Sequence, residues 1–444
     1  MKMARLKIAA IALGATALSG AAPALADIPE TAPRGSLAQG VPMTSDASAE
    51  VAAVYQRFPG TRVWFRPGAD EAAVDRLVAI LQRAPFDGLG NGADLANAVE
   101  VARTAARSGD VNAVMAAERA LSTAWVQYVQ LLKKPTPGML YEVPYLAPKN
   151  SRADQILLTA AAAPSLAAYL DDAATPNVLY AQLRDTAYAD AKASGKLTPD
   201  PRLLANLERL RSIPNKGRFM VVDSGNQMLT LFENGRPVDS MKVVAGKTEY
   251  PTPMIASIMY YIVYNPYWNA PDHLVRKIAQ NYLTMGPSYL KTRGYQVMKD
   301  WTAGSDVLPA EQVDWKAVAS GKTQIRVRQK PSDDNSMGDL KFPFPNREDI
   351  FLHDTPHKEY FVRSSRMLSN GCVRVEDARR LGRWLLGAEP SAPNGDAEIQ
   401  VQLPRGVPIY LTYVTAQARD GKIAYLSDPY GWDPKGGSAK TAAR

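Results

Sequence analysis

The chain has 444 residues, of which 46% are hydrophobic and 22% are charged, and it carries a formal net charge of +8. This length suits two or three domains with buried cores, and the composition excludes a disordered, collagen-like or coiled-coil protein. The single cysteine, Cys372, excludes an intramolecular disulfide, a CxxC metal site and an iron–sulfur cluster. Only three histidines are present, so we expect no His-rich metal site.

Residues 1–26 have the three parts of a secretory signal peptide. A basic segment containing Lys2 and Lys7 precedes the short apolar run 8–20, and an A-x-A cleavage site follows at 24–26. The apolar run is too short to span a bilayer and no later segment is longer, so no transmembrane segment is expected. The alternative is an uncleaved membrane anchor. We predict an exported protein whose mature charge is +5.

The mature chain is predicted to have an α+β fold in which a helical half precedes a mostly-β half. Residues 27–50, rich in Pro, Ala and Ser, are predicted to be a linker. Residues 51–212 are predicted to form an all-α scaffold. Apolar residues at helical spacing mark one stripe at Val74, Leu77, Val78 and Leu81. Further helical segments are predicted at 95–106, 111–132, 153–170 and 179–193.

Alternating apolar runs in the second half, residues 213–432, predict a β-domain. The strands are expected at 219–222, 228–232, 238–244, 257–264, 350–353, 407–415 and 423–426. Residues 270–340 mix a helix with turns and are predicted to be an insertion, with Trp268 at its entry. A helix is expected at 375–386, directly after the cysteine. Residues 433–444 are predicted to be a polar tail.

His353 ends a predicted strand, and Cys372 follows 19 residues later within the segment 369–374 (SNGCVR). A thiol nucleophile needs a nearby base or positive potential, which an imidazole and a helix N-terminus supply. Gly371 lets the backbone turn so that amide groups can face a developing oxyanion.

Three polar residues of the same segment are candidates for substrate binding. Arg374 can hold a carboxylate with two hydrogen bonds. Ser369 and Asn370 can bond the imidazole or the substrate backbone. Nucleic acid is not an expected partner, because the basic residues are scattered and no RNA-binding signature is present.

The residues alone leave other interpretations open. A lone cysteine is often buried and inert. His353 and His357 have the spacing of a helical zinc pair, but Pro356 disfavours a helix there and the glutamate of the HExxH motif is absent. We therefore predict no metal site. A papain-like protease would normally place its cysteine before its histidine, which is the reverse of the order found here.

The motif resembles the active-site signature of L,D-transpeptidases with a YkuD-type catalytic domain. The spacing of His353 and Cys372, with LHDTP at 352–356 and GCVRV at 371–375, is similar to the large Gram-negative branch that has a helical scaffold and a capping insertion. The resemblance covers about residues 205–432. Other similar stretches lie at 206–211, 231–235, 265–269 and 328–331.

The resemblance implies a periplasmic acyltransferase of peptidoglycan biosynthesis that needs no cofactor. Cys372 would be the nucleophile and His353 the acid and base, with a tetrapeptide donor, a diamino-acid acceptor and carbapenems as inhibitors. Phe351 stands where this branch often has a tyrosine whose hydroxyl could assist the oxyanion. The insertion would act as a lid. The alternatives are a carboxypeptidase, protein anchoring to the wall, an amidase that cleaves cross-links, and a non-catalytic wall-binding protein.

Overall fold

The structure, a computed structural model, describes residues 47–66, 71–149, 151–302, 304–392 and 395–434. The predicted signal peptide and most of the predicted linker lie outside the described residues, as do the last ten residues of the predicted tail. Within the described residues, no helix is both long and apolar enough to cross a membrane. The linker prediction is wrong for residues 47–50, because they already form the first turn of a helix.

The helices of the N-terminal half are α1 (Ala47–Arg57), α2 (Glu71–Arg83), α3 (Gly92–Ala106), α4 (Val111–Leu132), α5 (Ala153–Ala162), α6 (Leu166–Ala173), α7 (Val178–Ser194) and α8 (Pro201–Arg211). All four residues of the predicted apolar stripe on α2 are buried in the core of this half. The predicted helical stretch 153–170 is divided into α5 and α6. Pro164 lies between them and cannot donate the backbone hydrogen bond that a continuous helix requires.

The strands are β1 (Leu140–Tyr141), β2 (Phe219–Asp223), β3 (Met228–Glu233), β4 (Arg236–Gly246), β5 (Ile255–Tyr264), β6 (Trp268–Asn269), β7 (Tyr295–Met298), β8 (Val307–Leu308), β9 (Arg326–Gln329), β10 (Leu340–Pro343), β11 (Phe351–His353), β12 (Met367–Ser369), β13 (Val373–Val375), β14 (Ile399–Thr412), β15 (Ala416–Arg419) and β16 (Lys422–Tyr425). The later helices are α9 (Asp272–Met285), α10 (Ser288–Thr292), α11 (Trp315–Ala319) and α12 (Ala378–Leu386). The predicted α+β arrangement, a helical scaffold followed by a mostly-β domain, is confirmed.

The main sheet closes on itself. Its strand order is β1-β5-β10-β11-β13-β4-β3-β2-β14, and β14 also pairs with β5, while β12 pairs with β4. Apolar side chains from these strands and from α12 fill its interior, among them Leu229, Val243, Leu352 and Leu411. A closed sheet has no free edge in its ring of strands, so the strands that carry the site are held on both sides.

The predicted insertion is a subdomain with its own core. Strands β6, β9, β7 and β8 form a separate sheet, and helices α9, α10 and α11 pack against it around Val275, Ile278 and Trp315. Its predicted end at residue 340 is too late, because β10 starts there and pairs with β5 and β11 of the main sheet. We call residues 268–329 the capping subdomain.

Helix α8 of the helical half contacts the segment that contains Thr415 and Asp433. Arg209 and Arg202 both bind the carboxylate of Asp433, at 2.7 and 2.6 Å. Asn206 accepts the backbone N–H of Thr415 at 2.6 Å. Asp433 is nine-tenths buried, so the tail prediction is wrong at this residue, which is part of the folded structure.

Candidate active site

Three adjacent strands of the main sheet bring polar side chains together around the predicted histidine. Strand β11 lies between β10, which is antiparallel to it, and β13, which is parallel to it. The register pairs Lys341 with His353, and His353 with Arg374. Register partners in neighbouring strands project to the same side of a sheet. Lys341, His353 and Arg374 therefore form a row, which we call the three-strand row.

Cys372 lies on the same face as the three-strand row. It immediately precedes β13 and is two residues before Arg374, and alternate residues of an extended chain project to one side. Val373 and Val375 project to the opposite side and are fully buried in the core. Strand spacing and rise place the Cα atoms of His353 and Cys372 roughly 8 Å apart. Two side chains on one face can meet across that separation.

Cys372 is followed by strand β13, so the predicted start of the helix at Val375 is wrong. Residues 373–375 alternate valine with arginine, a pattern that fits a strand with one buried face. Helix α12 starts only at Ala378, where Asp377 caps it by accepting the N–H of Arg380. The N-terminus of a helix therefore does not supply positive potential at the thiol.

Gly371 occupies a turn that only glycine fits easily. Its φ of +114° lies in the left-handed region, and an added Cβ would approach Ile350 Cδ1 to 3.1 Å. Its N–H donates to Ser369 Oγ at 3.2 Å, and its carbonyl accepts from Thr252 Oγ1 at 2.7 Å. The predicted oxyanion role of the Gly371 amide stays a prediction, and in this structure that N–H points to Ser369 Oγ.

The imidazole of His353 is buried and held by backbone oxygen. Its Nδ1 lies 2.6 Å from the carbonyl oxygen of Asp354, which can only accept, so Nδ1 carries the hydrogen. Nε2 is then the unprotonated nitrogen, which is the form a general base requires. Burial, followed by the charges of Arg374 and Lys341, lowers the pKa of His353 to about 3. The imidazole is neutral at neutral pH.

The thiol of Cys372 is partly exposed and packs against the apolar interior of the sheet. Burial of the sulfur raises the pKa of Cys372 to about 11, although the backbone N–H of Phe351 and the charge of Lys341 act in the opposite direction. Its Sγ lies 3.7 Å from the carbonyl oxygen of Asp349, a weak hydrogen bond. The resting pair is therefore a neutral thiol and a neutral imidazole.

Arg374 is packed against Tyr360. The guanidinium carbon lies 5.3 Å from the ring centroid of Tyr360, and burial lowers the pKa of Arg374. Among the described residues it forms no ion pair, and its Nε is a buried atom without a hydrogen-bond partner. This orphaned donor is consistent with a group that accepts hydrogen bonds from it when substrate is bound.

The other predicted site residues have different positions. Ser369 is buried and supports the turn, whereas Asn370 is exposed beside it. Phe351 lies on β11, where its ring contacts the imidazole of His353 with centroids 5.8 Å apart. Trp268 lies in the capping subdomain, paired with Gln329 and packed near Tyr295.

His357 is exposed, as its polar surroundings predict, and its Nδ1 lies 3.1 Å from Glu359 Oε1. It directly precedes the short 3-10 segment Lys358–Val362 and stacks against the ring of Tyr360 in that segment, with centroids 5.3 Å apart. Sequence reasoning missed Lys341, Tyr360 and Thr252. Strand register is the signal for Lys341 alone, which it places opposite His353. Tyr360 lies on a 3-10 segment and Thr252 on a loop, and no sequence pattern marks either of them.

Known protein families match two parts of the chain. Residues 217–406 match YkuD, the L,D-transpeptidase catalytic domain, and residues 49–186 match a scaffold domain. A curated protein of Haemophilus influenzae, described as a candidate L,D-transpeptidase, is 29% identical over 318 residues. The match covers 70% of this chain and 64% of that protein, so the chain spans slightly less than two thirds of its relative.

Two solved structures are also similar to part of the chain. One is an L,D-transpeptidase from Mycobacterium smegmatis, at 14% identity and a TM-score of 0.21, covering 44% of this chain and 58% of that one. The other is the avibactam carbamoyl enzyme of Ldtfm, at 12% identity and a TM-score of 0.20, covering 45% and 50%.

Residues 217–406 therefore carry a catalytic domain of the L,D-transpeptidase type. The chain combines this YkuD-type catalytic domain with a scaffold domain at residues 49–186.

Proposed function

We propose that this protein forms 3→3 cross-links between peptidoglycan stem peptides, with Cys372 as the nucleophile and His353 as the acid and base. One observation carries the proposal. The only thiol of the chain lies on the same face of the sheet as an imidazole whose Nδ1 is fixed by the Asp354 carbonyl. That arrangement leaves Nε2 available for proton transfer.

The first half-reaction acylates the enzyme. Cys372 Sγ attacks the carbonyl carbon of the third residue of a donor tetrapeptide while its proton moves to His353 Nε2. Because both groups are neutral at rest, proton transfer accompanies formation of the C–S bond. The C–N bond to the fourth residue then breaks, and His353 returns the proton to the departing amine. A thioester remains on Cys372, and a free amino acid leaves.

The second half-reaction transfers the acyl group. The side-chain amine of a diamino acid in a second stem peptide attacks the thioester carbon, and His353 Nε2 takes the proton of that amine. The new C–N bond forms, the C–S bond breaks, and the proton returns to sulfur. The N–H of Cys372 serves as an oxyanion donor in both steps, and Arg374 orients a substrate carboxylate.

The capping subdomain acts as a lid in this proposal. Water would compete with the acceptor amine by hydrolysing the thioester, so the reaction benefits from a covered site. Its α9 contacts the β4–β5 loop, where the rings of His273 and Tyr250 stack with centroids 5.3 Å apart. The same loop carries Thr252, which holds the Gly371 carbonyl.

We also propose that the protein acts in the periplasm and that carbapenems acylate Cys372. The signal-peptide pattern of residues 1–26 supports the location. An acyl-transferring thiol beside an imidazole supports acylation by a strained carbonyl compound that resembles the donor.

Product analysis tests the proposal. The purified mature protein is incubated with disaccharide-tetrapeptides that carry a diamino acid, and the products are sequenced by tandem mass spectrometry. A dimer joined between two third residues is expected, with release of one terminal amino acid per bond. Tripeptide alone would indicate a carboxypeptidase, shortening of pre-formed dimers would indicate an amidase, and no product would contradict an enzyme of the wall.

A further inference from the structure

Lys341 is the one residue of the three-strand row to which the proposed mechanism assigns no role. Its strand, β10, pairs with β11 so that Lys341 lies directly opposite His353. Its Nζ lies 4.2 Å from the centroid of the Phe351 ring. Among the described residues it has no ion pair and no hydrogen bond to an acidic side chain. The side chain of Lys341 is partly buried, and its ammonium contacts the face of the Phe351 ring.

An ammonium in this setting retains most of its capacity to bind an anion. A ring face is attractive to a cation but accepts none of its hydrogen bonds in the manner of a carboxylate. The charge of Lys341 reaches both reacting groups, since it opposes the protonation of His353 and favours the thiolate of Cys372. The positive potential of the Lys341 ammonium therefore extends to His353 and Cys372.

The leaving group supplies the matching anion. His353 delivers a proton to the amine of the departing residue, and in a tetrapeptide the carbon that bears this amine also bears the terminal carboxylate. A cation beside the imidazole is thus placed for that carboxylate. Arg374, the cation on the other side of His353, is packed against Tyr360, and burial lowers its pKa.

We propose that Lys341 binds the free terminal carboxylate of the donor peptide, so that the site selects donors that end one residue beyond the scissile bond. This assignment rests on the proposed function, because it requires that a terminal amino acid be the leaving group. Lys341 is then a specificity-determining residue. A donor whose terminus is amidated or extended by another residue lacks the charge at that position.

The test compares three donors that differ only at the terminus: a tetrapeptide with a free carboxylate, its carboxamide, and a pentapeptide. Wild-type kcat/KM for release of the terminal group should be about 10- to 100-fold higher for the free acid than for the carboxamide, the range expected for a hydrogen bond between charged groups. Lys341→Met should bring this ratio close to one by losing activity on the acid alone. Lys341→Arg should restore most of the preference.

Lys216→Met is the matched control. It removes the same charge from an exposed lysine that forms an ion pair with Asp172 of helix α6. It should keep the wild-type ratio. If Lys341→Met is folded and active but keeps the full preference for the acid, the Lys341 assignment is wrong while the proposed function stands. If the wild-type protein releases a terminal residue from none of the donors, the proposed function fails and the assignment fails with it.

A second measurement uses Cys372 without any peptide. Iodoacetate and iodoacetamide alkylate the same thiol but differ in charge, so the ratio of their rates reports the local potential for an anion. Lys341→Met should lower the iodoacetate-to-iodoacetamide ratio about three- to tenfold, and Lys216→Met should leave it unchanged. An unchanged ratio in Lys341→Met would show that its ammonium does not face the thiol and would overturn the assignment.

Discussion

The helical half and the catalytic sheet both bury ionisable groups, but among the described residues only the helical half pairs them with groups of opposite charge. In the helical half, Asp87 accepts hydrogen bonds from Tyr128, Tyr180 and Arg184, and all four side chains are almost completely buried. The carboxylate is matched by a guanidinium and two hydroxyl groups. In the three-strand row, by contrast, two cations flank His353 and no carboxylate of the described residues pairs with either.

The pairing of the buried charges distinguishes a structural hydrogen-bond network from a site that can bind a ligand. A buried charge that is fully partnered fixes a core and has no capacity left for another group. The unpartnered Nε of Arg374 and the ring-facing ammonium of Lys341 leave hydrogen-bonding capacity unused. We infer that the catalytic sheet tolerates this arrangement because a substrate anion completes it, whereas Asp87 serves stability alone.

The largest expected effect distinguishes the two histidines near the site. His353→Ala should lower the rate of Cys372 acylation by a donor peptide by about 10²–10⁴, the usual contribution of a general acid or base. His357→Ala should stay within about tenfold of wild type, because its imidazole is exposed and its Nδ1 bonds to the exposed carboxylate of Glu359. Circular dichroism confirms that both variants fold. A dead His357→Ala with an active His353→Ala would mean that the acid and base is misassigned.

A change in the helical half should affect stability and leave reactivity intact. Asp87→Ala removes the buried acceptor of Tyr128, Tyr180 and Arg184 and leaves Arg184 paired only with the half-exposed carboxylate of Asp185, so the free energy of unfolding should fall by about 3–5 kcal/mol. Asp171→Ala is the control. Its ion pair with Arg76 is half exposed, so the change should cost no more than about 1 kcal/mol. Urea unfolding measures both. Equal costs for the two variants would contradict the distinction between buried and surface charge.

The neutral state of the dyad predicts a particular pH dependence. Burial raises the pKa of Cys372 to about 11 and lowers that of His353 to about 3. Between these values the thiol keeps its proton and the imidazole has none, so thiolate increases about tenfold per pH unit as the pH approaches 11. Alkylation by iodoacetamide should therefore rise steadily from pH 7 to 10. A plateau across neutral pH would instead reveal a thiolate–imidazolium pair.

The sequence predicts the strand of His353 and several helices of the scaffold because their signals are local. The alternating run before His353 marks a strand, and the segment around Cys372 carries its own motif. The helical segments of the scaffold follow from apolar periodicity in the same way, except where Pro164 divides one of them. Each of these features depends on residues that are close neighbours in the chain.

The rest of the site depends on strand pairing, which the sequence does not display. Lys341 comes opposite His353 only because β10 and β11 are antiparallel neighbours in one register. Thr252 reaches the Gly371 carbonyl across 119 residues of sequence separation. The helix expected at 375–386 is present as α12 but starts three residues later for a related reason, since pairing of β13 with β4 and β11 favours a strand up to Val375.

One measurement tests the central claim, that Cys372 is acylated by a stem peptide. The mature protein is mixed with a disaccharide-tetrapeptide whose diamino-acid side-chain amine is acetylated, so that no acceptor is present, and intact mass is recorded within seconds. The account predicts one adduct equal to the donor less its terminal amino acid, located at Cys372 and removed by hydroxylamine. Cys372→Ser, which keeps the shape of the site but lacks the thiol, should gain no such thioester. A folded wild-type protein that releases the terminal amino acid while Cys372 stays unmodified, or that acquires the adduct at another residue, would contradict the account.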